Sequence, residues 1–344
     1  MGLNIKELVQ AKEVTFEELK NKKLAVDSFN LLYQFLTTIR QPDGTPLKDS
    51  TGRITSHMNG LFNRTASLMQ KGIKLVFVFD GKAPEIKTKE RQRRAELKKD
   101  ARKEYEIAKQ RQDIESMKKY ASRDVRLEPG MIEEAKELIS ALGLPVVQAP
   151  CEGEAQAAHM AKKGDCFATV SQDFDTVIYA SPKLVRNLSI SSRKKKTGKL
   201  GFDTVKPEIV TYSDVLNSTG LDSDQLVILA ILIGTDYNYG GIKGIGPVKA
   251  MKLIKRHGSN FDAIFEEAEW NKYFDMPWTD IFYTFKKMPV SDDYKLEWQN
   301  PDFDKIRKML IEEREFSRER VENVIERLQN SMIEKKQKGL GDFF

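Results

Sequence analysis

Seven acidic residues draw attention by where they fall. Asp27 closes the apolar run KLAVD, and Asp80 closes IKLVFVFD. Glu152 and Glu154 flank a glycine in CEGEAQ, Asp173 and Asp175 sit in SQDFD, and Asp236 follows the apolar run LVILAILIG in GTDYN. Singly, each has an ordinary use. Asp27 ahead of SFNLLY suits a helix cap, Asp80-Gly81 a turn, the glutamate pair the start of the Ala-rich helix AQAAHMAKK, and Asp236 a surface loop. Together they suggest a cation site, because so many converging carboxylates would protonate or unfold the chain without compensating positive charge. Carboxylate oxygens alone select Mg²⁺ or Mn²⁺ over zinc. Three scattered histidines and two cysteines, Cys151 and Cys166, offer no zinc spacing and fit a reducing compartment.

For these acids to meet, the chain must bring strand ends together. KLAVDSF (23–29), IKLVFVFD (73–80), LPVVQA (144–149), CFATVSQD (166–173) and TVIY (176–179) read as buried strands, with helical patterns between the first four. That alternation predicts an α/β fold with a central, mostly parallel sheet flanked by helices. The carboxyl ends of parallel strands share one edge, where sites form. Asp27, Asp80 and Asp173 end strands there, Asp175 shares the side of Asp173 if the chain stays extended, and the CEGEAQ helix starts there. KLVRNLSI and EIVTY predict a later hairpin or two strands around the basic loop SSRKKKTGKLG. After residue 215 the chain turns helical, and Asp236 must swing in from that part. At 344 residues, 40% hydrophobic and 31% charged, the composition is that of a soluble protein with a wet surface. The run LVILAILIG is too short to span a bilayer, and MGLNIK carries neither a signal peptide nor a myristoylation pattern.

The charge is not spread evenly. Between Lys82 and Arg126 lie sixteen Lys/Arg and nine Asp/Glu, in a chain whose net charge is +6. The rest is therefore close to neutral, and the basic segment is what a polyanion-binding element needs. Residues 82–128 favour helix, but Leu97, Tyr105, Ile107, Met117 and Tyr120 are too sparse for a core stripe, so these helices should stand out from the body. GGIKGIGPVKAMKLIKRHG reads as glycines opening a helix. An apolar helix precedes it instead of a strand, which argues against a dinucleotide fingerprint and leaves a phosphate-gripping helix-hairpin-helix or, equally well from the residues alone, a plain helix–turn–helix in the core. Lys249, Lys252, Lys255 and Arg256 add charge to that element. The end, EKKQKGLGDFF, reads as a disordered tail.

The order VD, VFDG, APCEGEAQAA, SQDFD, GTDY, GIKGIG resembles the flap endonucleases, of archaeal type, within the structure-specific 5′ nucleases. The likeness runs over essentially the whole chain. It implies one nuclease core over 1–330: an N-terminal α/β part (1–81), a basic helical arch (82–128), an internal α/β part (129–215), a helix-hairpin-helix region (216–265) and a helical C-terminal part (266–330). A flexible tail follows at 331–344. The implied activity is that of a 5′ flap endonuclease and 5′-3′ exonuclease, hydrolysing a phosphodiester near the base of a 5′ single-stranded flap, in lagging-strand maturation and DNA repair. Two Mg²⁺ ions, replaceable by Mn²⁺, would sit at Asp27, Asp80, Glu152, Glu154, Asp173, Asp175 and Asp236. Such a pair, about 3.5–4 Å apart, activates a water and stabilises the leaving oxygen, so no protein nucleophile is needed.

By the same likeness, Lys87 and Arg94 stabilise the scissile phosphate and join Asp27, Asp80, Glu152 and Asp173 as catalytic residues. Gly2, Tyr33, Arg40, Gly244, Gly246 and Lys249 hold DNA, and K⁺ lies between the hairpin and duplex backbone. From the sequence alone, Tyr33 serves equally well as core or as stacking platform, and KTKERQRR by itself is a solvated charge run. The tail QKGLGDFF matches a sliding-clamp (PCNA) box, with Gln337 at the pocket rim and Leu340, Phe343 and Phe344 on one helical turn. A monomer acting inside the cell, in cytoplasm or nucleoid, is expected.

Two other readings compete. DFDTVI (173–178) fits the D-x-D-x-[TV] pattern of haloacid-dehalogenase-like phosphatases, with Asp173 as nucleophile. That reading leaves Asp27, Asp80, CEGE and the basic segment without purpose. A related 5′ exonuclease or gap nuclease stays closest, and substrate assays separate it. A non-catalytic DNA scaffold would have no use for seven carboxylates.

Overall fold

The structure is a computed structural model that describes residues 5–111, 113–188, 193–195 and 202–341. Gly2, Phe343 and Phe344 lie outside them, as do the side chains of Gln337 and Leu340. Among the described residues the chain runs through β1 (Lys12–Glu13), β2 (Lys23–Asp27), α1 (Ser28–Thr38), α2 (Ser56–Gln70) and β3 (Lys74–Phe79). Then come α3 (Thr88–Gln110), α4 (Ile114–Arg123), α5 (Pro129–Ala141), β4 (Val146–Gln148), α6 (Gly153–Lys162), β5 (Ala168–Val170) and α7 (Asp175–Ile178). The rest is β6 (Lys183–Arg186), β7 (Arg193–Lys195), β8 (Phe202–Thr204), β9 (Glu208–Thr211), α8 (Tyr212–Thr219) and α9 (Ser223–Ile233), followed by α10 (Pro247–His257), α11 (Phe261–Glu267), α12 (Trp278–Lys286), α13 (Phe303–Arg307) and α14 (Arg318–Gly341).

Among the described residues seven strands form one sheet, in the order β1-β9-β6-β5-β2-β3-β4. From β6 to β4 every pairing is parallel, and β9 and β1 add antiparallel strands at one edge. The expected mostly parallel sheet is therefore present. Its central strands are apolar on both faces because helices cover both: Leu24, Val26, Phe77 and Phe79 pack with α2 and α5, while Ala25, Val76 and Val78 pack with α6. Burying side chains such as Phe77 and Phe79 stabilises the sheet by about 1.5–3 kcal/mol each. The register aligns Asp27 with Val78, so β2 and β3 end together.

One expected strand is a helix. TVIY forms most of the single turn α7 instead. A four-residue apolar run cannot be told from a buried helical turn by periodicity. Here Ser181 N–H donates to the Thr176 carbonyl, which closes the turn and sends the chain back into β6. Asp175 thus opens a helix, contrary to the extended geometry expected of it. The later pair also differs in detail: β6 and β9 pair directly, and β7 with β8 forms a separate two-stranded sheet between them.

α3 and α4 form the expected projecting pair. Ala101, Ala108 and Met117 make a thin buried seam, while Leu97 and Ile107 stay exposed. α9 is buried from Leu226 to Leu232, which is why LVILAILI shows no amphipathic period. No single described helix is long and apolar enough to cross a membrane. α14 continues through Gly341, where a loose tail from 331 was expected. SMIEKKQK contains no glycine or proline, and extending an existing helix is far easier than starting one.

An irregular strap, residues 289–300, crosses behind α6. The Gln156 amide makes two hydrogen bonds of 2.8 Å with the Ser291 backbone, and Asp292 accepts from Lys163 and pairs with His159 at 2.9 Å. The strap fixes the helix whose first residues carry Glu152 and Glu154.

Candidate metal centre and nucleic-acid interface

The acids do converge on the carboxyl edge of β2, β3 and β5. Asp27 is buried and caps α1, its Oδ1 accepting from Asn30 N–H at 3.0 Å. The capping role and the cluster role coexist in one side chain. Asp80 follows β3, and its Oδ1 accepts the Gly153 N–H at 2.7 Å. The start of α6 is therefore capped by a neighbouring strand, and Glu152 makes no capping bond. This explains the glycine in CEGEAQ: a Cβ at Gly153 would stand 2.6 Å from Asp80 Oδ1. Gly81 is needed for a similar reason, since its Cβ would meet the Ala149 carbonyl oxygen at 2.2 Å.

The charges feel one another. Burial, and then the Asp80 carboxylate, push the Asp27 carboxyl up to about 7. Burial and then Glu152 push Asp80 to about 6. Glu154 is driven well above the usual carboxylate range by burial and by Asp175, Asp27 and Asp173. Asp236 behaves oppositely. Burial would raise it, but Lys87 and Arg94 hold it below its ordinary value.

Those two cations come from the foot of the basic arch. Lys87 Nζ lies 2.9 Å from Glu152 Oε2 and 3.2 Å from Asp236 Oδ2. Arg94 Nη2 donates to Asp236 Oδ1 at 2.5 Å. Burial alone would lower the Lys87 pKa, yet Glu152 and Asp236 raise it above its ordinary value. The ammonium is fully charged and serves as the cluster's internal cation.

Among the described residues no group of three or more acidic, histidine or cysteine side chains is arranged to hold an ion as it stands. The chemistry nevertheless fits one. Several buried carboxylates pushed toward their neutral forms mark negative charge that the protein's own cations do not balance, and an all-oxygen donor set suits a hard divalent ion.

Two residues at this edge escaped the sequence reading. Asn30 bridges the acids: its Nδ2 donates to Asp173 Oδ2 at 2.9 Å while its Oδ1 accepts from Gln172 N–H at 3.1 Å. Ser171 Oγ donates to Asp27 Oδ2 at 3.2 Å and accepts from Asp173 N–H at 3.3 Å. The only sequence signal was proximity, Asn30 one helical turn after Asp27 and Ser171 two residues before Asp173.

The expected DNA contacts are mixed. Tyr33 is 36% exposed with Lys98 Nζ 5.4 Å from its ring centre, so its ring is not part of the core. Arg40 is half-buried, its Nε and Nη1 donating to the Leu36 and Gly44 carbonyls, so part of its fork braces the following turn. Gly244 has φ +83°, Gly246 is open to solvent at the start of α10, and Lys249 is exposed. No side chain caps α10, whose first residue, Pro247, has no N–H to satisfy, and Gly246, Val248 and Lys249 around its start are exposed. α9, the loop 234–246 and α10 form the expected hairpin of helices.

A model of the XPG N-terminal domain matches residues 3–101, and one of the XPG I-region matches 143–236. The chain is 47% identical to the flap endonuclease 1 of Thermococcus onnurineus, over 100% of this chain and 99% of that protein. This chain belongs to the flap endonuclease family. The flap endonuclease 1 of Staphylothermus marinus is likewise 47% identical, over the full length of both. The solved flap endonuclease-1 from Methanococcus jannaschii has a TM-score of 0.75 at 38% identity, over 97% of this chain and 100% of that one. The catalytic core of Rad2 in complex with DNA substrate shares the fold, with a TM-score of 0.70 at 24% identity over 95% of this chain and 100% of that one. Asp27, Asp80, Lys87 and Arg94 fall inside the N-terminal match, and the other five acids inside the I-region match. Metal dependence is expected for the family. Membership leaves the phosphatase reading of DFDTVI without support.

Proposed function

We propose that this chain is a metal-dependent nuclease that hydrolyses a DNA phosphodiester near the junction of a 5′ single-stranded flap and duplex. The observation that carries this reading is the contact between the arch foot and the acidic edge: Lys87 and Arg94 reach Glu152 and Asp236. A polyanion-binding element thereby ends at a site built for hard cations.

Asp27, Asp80, Glu152, Glu154, Asp173, Asp175 and Asp236 would hold two Mg²⁺ ions, or Mn²⁺ in their place. Bound there, such ions supply water activation and charge neutralisation at the scissile phosphate. Lys87 and Arg94 offer permanent positive charge to the non-bridging oxygens of that phosphate, and Asn30 and Ser171 keep Asp27 and Asp173 in place. The arch carries the single strand by charge, with Tyr33 stacking a base near the junction. Gly244, Gly246 and Lys249 grip duplex phosphate through the open first turn of α10, where K⁺ would also bind. Among the described residues no element is set out as a major-groove reader, and phosphate-directed contacts of this kind select DNA by structure and not by sequence. The protein acts as a monomer.

End-labelled 5′ flap, nicked, single-stranded and fully duplex DNA, each with and without Mg²⁺, test the reading together. Cleavage of the flap near its junction, lost in EDTA, is the expected result. Equal cleavage of all four substrates, or full activity in EDTA, overturns it.

The tail supplies a separate expectation. Gln337, Leu340, Phe343 and Phe344 would dock on a sliding clamp, with the two phenylalanines as anchors. Deleting 337–344 should leave cleavage of a free oligonucleotide flap within about two-fold of wild type, since small interfaces take their energy from a few anchors remote from the chemistry. The same deletion should abolish co-elution with the cognate clamp. A truncated protein that still co-elutes with the clamp rules the tail out.

A further inference from the structure

Glu90 is the only acid in KTKERQRR, and a first-turn glutamate normally stands in solvent where it complements the helix dipole. Here it is buried, at 5% exposure, and both of its oxygens are filled by arginines. Arg93 approaches bidentately, Nε at 2.7 Å and Nη2 at 2.8 Å, and Arg94 Nε donates to Oε1 at 2.8 Å. The guanidinium of Arg94 is planar, so fixing Nε on one side fixes where Nη2 points on the other. That nitrogen meets Asp236. Arg93, held by the same carboxylate, has its Cζ 3.4 Å from the Tyr239 ring centre. Tyr239 and Asp236 belong to the same loop between α9 and α10.

We infer that Glu90 is a positioning residue for the nuclease reaction, aiming Arg94 at the scissile phosphate and clamping the arch foot to the Asp236 loop. The inference rests on the role given above to Arg94. A long arginine on an exposed helix loses considerable rotamer freedom when it is held in one geometry. Glu90 holds it before substrate arrives. Without the carboxylate, Arg94 would sample rotamers that leave the phosphate unstabilised, and the Arg93 fork would lose the anchor that keeps it over Tyr239.

The test is a double-mutant cycle of Glu90→Gln and Arg94→Ala, read as single-turnover cleavage of a 5′ flap oligonucleotide at saturating enzyme. Glu90→Gln should slow the step about 10-fold or more while flap affinity stays within about two-fold, because removing an acid does not weaken a grip on phosphates. In the Arg94→Ala background it should add less than about two-fold, since its effect passes through that side chain. A merely structural glutamate would slow both backgrounds equally and lower binding with them. If Arg94→Ala slows cleavage and Glu90→Gln does not, or if the two effects multiply in full, the inference is wrong and the role of Arg94 survives. If Arg94→Ala itself cleaves at the wild-type rate, the role of Arg94 falls and takes this inference with it. Should Glu90→Gln melt well below wild type, Arg94→Lys reads the same coupling. It keeps the charge but not the fork shared by Glu90 and Asp236, so a wild-type rate there also overturns the inference.

Discussion

Replacing Asp80 or Asp173 with alanine should abolish flap cleavage, a loss of at least ~10³-fold in the single-turnover rate, with flap affinity unchanged or slightly improved. The asymmetry follows from charge. These carboxylates contribute nothing attractive toward phosphates, and Asp80 is already pushed up to about 6 by burial and by Glu152. Asp80 also caps α6 through the Gly153 N–H. Asp80→Asn is therefore the cleaner variant, because it keeps an acceptor for that bond while removing the charge. Thermal melting gives a readout independent of catalysis. Mg²⁺ binding only the folded state should raise the melting temperature of the wild type, and raise that of Asp80→Asn or Asp173→Asn less. A variant that cleaves normally, or a wild type whose stability ignores Mg²⁺ at millimolar levels, would remove the metal centre from the account.

Lys87→Ala and Arg94→Ala should each slow the same step by ~10²-fold or more at saturating enzyme, with a much smaller effect on binding. Both side chains reach the acidic edge proposed to receive the phosphate, and both are held there by carboxylates, Lys87 by Glu152 and Asp236 and Arg94 by Asp236. Their contacts overlap at Asp236, so the double variant should fall short of the product of the two single effects. The outer arch should behave differently. Lys99, Arg102, Lys103 and Arg126 line a cleft of about 660 Å³ far along α3. Neutralising Lys98, Lys99 and Lys103 should chiefly weaken flap binding and flatten its salt dependence, by roughly 0.7 in the log–log slope for each lost single-strand phosphate contact. Rates at saturation should stay near wild type. Unchanged single-turnover rates in Lys87→Ala and Arg94→Ala would confine the whole arch to binding.

The alternation of apolar runs and helical patterns was enough to specify the parallel centre of the sheet, because strands covered on both faces must be apolar throughout. It was also enough to place Asp27, Asp80 and Asp173 on one edge, since strand direction and carboxyl ends follow from the order of elements. The concentration of charge in 82–128 marked the arch, because a helix with so little apolar surface has nothing to pack against. Composition and order along the chain carry that information directly.

Other features depend on which groups the folded chain brings together, and only the tertiary structure decided them. TVIY became a helical turn through a backbone hydrogen bond closed at Ser181. Gly153 is required by an oxygen of Asp80, a residue with no sequence relation to it. Whether Tyr33 lies in the core was open until its ring was found partly exposed beneath Lys98. Asn30 and Ser171 look like unremarkable polar residues until the strand ends meet and their bonds span Asp27 and Asp173. Glu90 reads as one acid in a basic run, and becomes the buried anchor of two arginines only when α3 lies against the Asp236 loop. Strand direction and charge run are properties of consecutive residues, whereas hydrogen-bond partners, burial and the aim of a long side chain are set by which surfaces the fold presses together.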